Sequence, residues 1–269
     1  MKQVLDAAKQ RLVQAAMVSV PDRMWITIQS RRSRNHQMRH LAREGFLEIG
    51  RKFVAKHGAM VLHGPFAGMK YPLRAVSTRH AIPRLLGSYE LELHPVLESL
   101  RQTYRCAIDI GSAEGYYAVG LAMRLRIPVY AFEADSRERA LSREMASLNG
   151  VGELVLTSGY CDRVRLAALG TARSLIFSDC EGYELELFDD EMPGKLRFSD
   201  LIIETHGPTT PELLCARFAN THQVSIVDAQ ARASRDFPDV DFLGARAAMA
   251  VSEERPPQSW LWCESRAAG

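Results

Sequence analysis

Between residues 106 and 204 the chain repeats one pattern, a short apolar run followed by a longer segment with helical spacing. The runs are Cys106–Ile110, Val129–Phe132, Glu153–Leu156, Ser174–Ser178 and Leu201–Glu204. Strands that are apolar at every position, each followed by a helix, are buried on both faces, so the alternation predicts an α/β fold with a parallel sheet between two helical layers. Two further strand candidates, His222–Val227 and Ala247–Ser252, have no convincing helix between them. An antiparallel hairpin is expected there.

Upstream, residues 1 to 58 read as helices. Leu5, Ala8, Leu12 and Ala15 share one face, and Met38, Leu41, Phe46, Leu47 and Ile49 are core candidates in a later helix. This stretch is expected to be a helical N-terminal extension, suited to self-association into a homo-oligomer or to covering a substrate, with the α/β domain occupying 59–269. The segment "AMVLHGPFAGMKYP" alternates and then turns at Gly64-Pro65 and Gly68, which predicts a strand and hairpin. Short helices are expected near Arg79–Leu86 and Glu92–Thr103.

Composition excludes little. A net charge of +2 argues for no nucleic-acid or membrane partner. No apolar stretch reaches the length of a membrane span. The five cysteines form no CxxC pair, so buried free thiols in a reducing, cytoplasmic setting are expected.

The turn "IDIGSAEGYY" carries the chemistry. A strand ending at Gly111 and a helix opening at Gly115 let a ligand approach the backbone and meet free amide donors. The next strand, "VYAFEADSRER", ends in Glu133. An acid about 20 residues past such glycines can accept hydrogen bonds from both ribose hydroxyls. The residue two past Gly111 is Ala113, so the dinucleotide pattern Gly-x-Gly-x-x-Gly is absent, and Glu114 would repel a diphosphate. A nucleoside cofactor without phosphates fits better. S-adenosylmethionine is one, and Asp109 and Glu114 suit its cationic amino-acid tail.

"AIDIGSAEGYYAVGLA", "VYAFEADSRER", "LIFSDCEGYELELFD" and "LIIETH" resemble, in order, the motifs of class I S-adenosylmethionine-dependent methyltransferases. "GPFAGMKYP" and "LLGSYELELHP" are similar to the upstream region of the FkbM-like group. The resemblance covers roughly residues 60 to 210. It implies a Rossmann-like sheet of seven strands with the last antiparallel. It also implies cofactor contacts from Asp109, Gly111, Ser112, Ala113, Glu114, Gly115 and Tyr116 at the turn, and from Glu133 and Ala134 at the ribose. An adenine contact is expected among Gly159, Tyr160, Cys161 and Asp162, with Asp179 at the methyl end and Tyr89 and Glu90 folding over the cofactor. The alternative for Tyr89 is a place in the core.

Methyl transfer needs an aligned nucleophile and, for a hydroxyl, a proton acceptor. Asp179, Glu181, Glu204 and His206 are expected at the carboxyl ends of strands four and five, where open α/β sheets bind ligands. Two readings stay open. Either His206 is a general base held by an acid, or Asp179, Glu204 and His206 bind Mg²⁺ or Mn²⁺ and lower the pKa of the acceptor hydroxyl. Glu181 is expected to begin a helix. His63 and Lys70 are further candidates for contact with the acceptor.

The expected acceptor is a hydroxyl of a small molecule or saccharide. Nucleic acid ranks behind it, because "DCEGY" lacks the prolines of exocyclic-amine methyltransferases. The cluster Arg31, Arg32, Arg34, Arg39 and Arg43, with His36 and His40, has no interleaved aromatic residue to stack bases. A protein acceptor, or a non-catalytic interaction module, is the remaining alternative.

Overall fold

A computed structural model describes residues 45–76, 81–170, 173–253 and 258–267. The helical expectation for residues 1–44, and the basic cluster within it, lie outside the described residues. So does the self-association assigned to that segment.

The sheet has seven strands, β1 (Cys106–Ile110), β2 (Val129–Phe132), β3 (Val155–Ser158), β4 (Ser174–Ser178), β5 (Asp200–Thr205), β6 (His222–Asp228) and β7 (Ser259–Ser265), in the order β3-β2-β1-β4-β5-β7-β6. β1 to β5 pair in parallel, whereas β7 is antiparallel to both β5 and β6. This is the mixed α/β sheet that the alternation and the resemblance imply. The helices are α1 (Phe46–His57), α2 (Ala81–Leu86), α3 (His94–Ser99), α4 (Tyr116–Leu125), α5 (Ser136–Leu148), α6 (Arg163–Leu169), α7 (Glu184–Leu187), α8 (Met192–Lys195), α9 (Thr210–Phe218) and α10 (Ala247–Val251). Among the described residues no helix is long and apolar enough to cross a membrane.

Strand residues alternate between two cores, as a period of two requires. Ala107, Ala131, Leu175, Phe177, Ile202 and Trp260 face one layer, with Ile49 and Phe53 of α1 and Leu85 of α2. Ile108, Ile110, Ile176, Ile203 and Leu261 face the other, with Leu166, Leu187 and Leu214. β1 and β4, at the centre of the sheet, are buried at every position.

Three expectations need correction. Ala247–Ser252 is not a strand. Ala247, Ala250 and Val251 are buried at helical spacing in α10, and the antiparallel strand is Ser259–Ser265. β3 begins two residues later than predicted, because Leu154 is held in a turn by Val151. Residues 59–72 form a loop closed by a single antiparallel bridge between Met60 and Lys70, not a paired hairpin.

Candidate functional site

Three acids share one face at the carboxyl ends of adjacent strands. Phe177 lies beside Asp109 on one side and Ile202 on the other, so Asp179 and Glu204, each two residues on, point to the same side as Asp109.

The turn after β1 is set by close approach. Gly111 has φ 83°, and a Cβ there would lie 1.7 Å from the carbonyl oxygen of Asp179. Gly115 has φ 97°, and a Cβ would lie 2.6 Å from Ser142 Oγ on α5. No larger residue fits either place. The Gly111 and Ser112 amides donate to the Phe132 carbonyl at 2.9 and 3.0 Å, which ties the turn to β2. Ala113 is left-handed at φ 44°. Its amide donates to Glu133 Oε2 at 3.0 Å, and Glu133 Oε1 accepts from the Asp135 amide at 2.7 Å. Glu133 thus braces the glycine turn from the tip of β2. Each carboxylate oxygen has a second lone pair, which leaves capacity for ribose hydroxyls. Burial raises its pKa, with the two amides opposing. Ala134 offers its carbonyl to Arg139 at 2.9 Å.

Asp109 is 1% exposed, and Oδ2 has no hydrogen-bond partner among the described residues. Ser112 Oγ is likewise unpartnered. Burial, and then the charge of Asp179, push the Asp109 carboxyl up to about 8. A buried acid with an unmet acceptor fits a cationic ligand carrying N–H donors, since such a group would satisfy both its charge and its lone pairs. The residues present therefore fit the amino-acid tail of S-adenosylmethionine.

Glu114 is differently placed from the expectation. It pairs with Arg84 and accepts from the Tyr71 hydroxyl at 2.9 Å; Glu114 and Tyr71 are buried, and the Arg84 side chain is 13% exposed. Burial would raise its pKa, but the Arg84 charge and hydrogen bonds bring the net shift downward. Its charge is matched within the protein, whereas Asp109 Oδ2 has no hydrogen-bond partner among the described residues. Tyr89 packs in the same aromatic cluster: its ring meets Tyr116 edge-on at 5.7 Å, and Arg84 lies 4.4 Å from its centre. The core alternative for Tyr89 is the one observed. Glu90, left-handed at φ 47° and 1% exposed, accepts from the Tyr117 hydroxyl, and Tyr117 stacks on Phe177 at 3.8 Å. Glu90 is thereby held over the first turn of α4.

Beyond the end of β3, Tyr160 is 48% exposed, and its ring lies 5.7 Å from that of Tyr183. Cys161 is buried, which pushes its thiol up to about 12. Asp162 caps α6, accepting from the Arg165 amide at 2.8 Å.

Just past β5, His206 Nδ1 lies 2.6 Å from Glu184 Oε1. Nδ1–H donates to that carboxylate, so Nε2 is turned to the other acids: Glu181 at 3.7 Å, and Asp179 and Glu204 at 3.8 Å. The Glu184 hydrogen bond raises the His206 pKa, burial opposes it, and the charges of Glu184, Asp179 and Glu181 add to the rise. Glu184 is buried, yet its pKa is lowered, because His206 and the Gly182 amide outweigh desolvation. Sequence reasoning gave Glu184 no role. The available signal was the second acid of "CEGYE", four residues after Cys180.

Glu181 does not begin a helix. It is left-handed at φ 53° in a turn with Gly182, and α7 starts at Glu184. Asp179, Glu181 and His206 each offer one ligand atom, and these atoms lie within 4.8 Å of one another. Glu181 completes that set where Glu204 was expected. His63 and Lys70 are exposed: His63 Nε2 lies 2.8 Å from Asp239 Oδ2, and the Lys70 backbone amide donates to Asn149 Oδ1 at 2.7 Å.

No protein-family model matches the chain. A stretch of 51 residues, 19% of this chain, is 43% identical to ribosomal protein L11 methyltransferase of Rhodopseudomonas palustris (strain BisB5), and spans 17% of that protein. Similar solved structures include a human methyltransferase 10 domain containing protein (12% identity, 82% of this chain and 97% of that one, TM-score 0.45). A putative O-methyltransferase from Klebsiella pneumoniae is similar at 15% identity, covering 67% and 81%, with TM-score 0.42. A putative tRNA (m1A22) methyltransferase from Streptococcus pneumoniae, in complex with S-adenosyl-L-methionine, is similar at 15% identity, covering 60% and 66%, with TM-score 0.43.

Proposed function

We propose that the chain is an S-adenosylmethionine-dependent methyltransferase of the FkbM-like kind, acting on a hydroxyl of a small molecule or saccharide in the cytoplasm. The observation that carries the reading is the Glu184–His206 hydrogen bond of 2.6 Å beside Asp179, on the strand ends next to Asp109, whose Oδ2 has no partner among the described residues.

The bound cofactor supplies a methyl group on a sulfonium. Asp109 meets the positive tail, and Glu133 takes the ribose. His206 Nε2 removes the acceptor's proton as the new bond forms. Glu184 fixes the tautomer that leaves Nε2 basic and stabilises the resulting imidazolium, in the manner of carboxylate–histidine pairs. Asp179 and Glu204 accept from the acceptor's remaining hydroxyls.

The convergence of Asp179, Glu181 and His206 favours a second reading, in which a hard divalent cation takes these ligands and acidifies the hydroxyl. Turnover of a hydroxyl panel by protein stripped with EDTA, then resupplied with Mg²⁺ or Mn²⁺, separates the two. Unchanged turnover supports the histidine base, and metal-dependent turnover supports the cation. Methyl transfer to protein or RNA, with none to hydroxyls, would overturn the acceptor class.

A further inference from the structure

The connection between β6 and β7 carries no recognisable motif, yet it reaches into the segment before β1. The Arg232 side chain is only 9% exposed. Its guanidinium bonds Glu92 Oε2 at 2.7 Å and Glu253 Oε1 at 2.8 Å. Nε donates to the Ser88 carbonyl at 3.1 Å. Glu253 Oε1 in turn accepts from the Glu90 amide at 2.8 Å. Two residues from one end of the chain thus grip the backbone on both sides of Tyr89, and Glu92 two positions on.

The gripped backbone is one that would not hold itself. Glu90 sits at φ 47°, ψ 50°, a left-handed conformation that costs a non-glycine residue and persists where surroundings over-determine it. Its carboxylate meets the Tyr117 hydroxyl over the first turn of α4, which is the turn that opens from Gly115. Arg232 Nη1 also donates to the Gln230 carbonyl at 2.6 Å, so each of its three nitrogens is bonded within the protein. It acts on whatever Glu90 touches only through the backbone it holds.

We infer that Arg232 and Glu253 are positioning residues for cofactor binding, setting the Tyr89–Glu90 turn so that the Glu90 carboxylate faces the amino-acid tail of the cofactor. This rests on the methyltransferase reading.

The test compares two probes by calorimetry on the full chain. S-adenosylhomocysteine has the amino-acid tail, and 5′-methylthioadenosine lacks it. Arg232→Met and Glu253→Leu are expected to weaken S-adenosylhomocysteine by about ten-fold or more, as loss of a buried charge-assisted bond would. Methylthioadenosine should stay within about two-fold, because only the tail is affected. Glu253→Gln keeps an acceptor for the Glu90 amide and should recover most of the loss. If Arg232→Met does not fold, Arg232→Lys is read for the same split. Equal weakening of both probes overturns the inference and leaves a structural role only. Unchanged binding of both probes also overturns it, with the methyltransferase reading intact. Wild-type protein that binds neither probe sinks the reading beneath it.

Discussion

Glu184 and His206 are joined at 2.6 Å although α7 and β5 lie on either side of α8 in the chain. The bond spends Nδ1 and leaves Nε2 among carboxylates. That arrangement makes His206 more basic than a free imidazole, which is useful for accepting a proton and costly at low pH.

His206→Ala should lower kcat by about 10²- to 10⁴-fold, the usual worth of a general base, with cofactor affinity near wild type. Because the His206 pKa is raised above 6.5, the basic form appears only at higher pH, so activity should climb through and beyond neutrality. Glu184→Gln removes the charge that raises it. The acid limb of the kcat profile should then move to lower pH, and the plateau should fall about ten-fold. A limb that does not move would separate the two residues functionally.

The same pair makes a pH-dependent contribution to stability. His206 is raised, so its contribution is complete below about pH 6.5 and is lost as pH rises through the folded value. Glu184 is lowered, so its contribution is present above the usual glutamate range and is lost as pH falls through the folded value. Thermal melts should show the His206→Ala penalty largest between those limits and shrinking at alkaline pH.

Asp109 should trade stability for binding. Its carboxyl is raised from 3.8 to about 8, so ionisation is disfavoured in the folded state and unliganded protein should lose stability as pH rises from about 4 to 8. Asp109→Asn removes that cost. At pH 8 it should raise the melting temperature of the unliganded chain, with a gain on the order of 1–3 kcal/mol, while weakening S-adenosylhomocysteine in calorimetry. A variant that melts lower and binds normally would contradict the assignment.

Gly111→Ala should destabilise by about 3 kcal/mol or more in urea titrations, because the new methyl meets the Asp179 carbonyl and the backbone is left-handed. Gly182→Ala is the control. It has φ 98° but nothing within 4 Å, so only the backbone term applies, about 1 kcal/mol.

Arg84→Met leaves the buried Glu114 charge without its counter-ion and should cost about 3–5 kcal/mol. The double variant with Glu114→Gln should recover a large part of this, since the uncompensated charge is then gone. Additive losses in the melts would show that the two act separately.

The central sheet was legible because β1, β4 and β5 are buried on both faces and so are apolar throughout. β7 was not, because "SWLWCES" follows a proline pair and mixes polar residues with tryptophans, while the alanine-rich α10 nearby offered a more obvious apolar run. Asp109, Glu133, Asp179 and His206 were legible as strand-end residues. Glu184 was hidden because its role depends on the left-handed turn at Glu181–Gly182, which local spacing does not announce. Glu114 was misjudged for a related reason. Its partner Arg84 lies thirty residues upstream, and only the folded chain brings the two charges together. Arg232 and Glu253 were invisible, since their work is done on the backbone of a distant loop.

The most direct measurement is a calorimetric titration of the full chain with S-adenosylhomocysteine, run beside Glu133→Gln. Saturable one-site binding by the wild type and a clear loss of affinity in the variant are expected. No binding by the wild type at high protein concentration, or equal binding by both proteins, would contradict it.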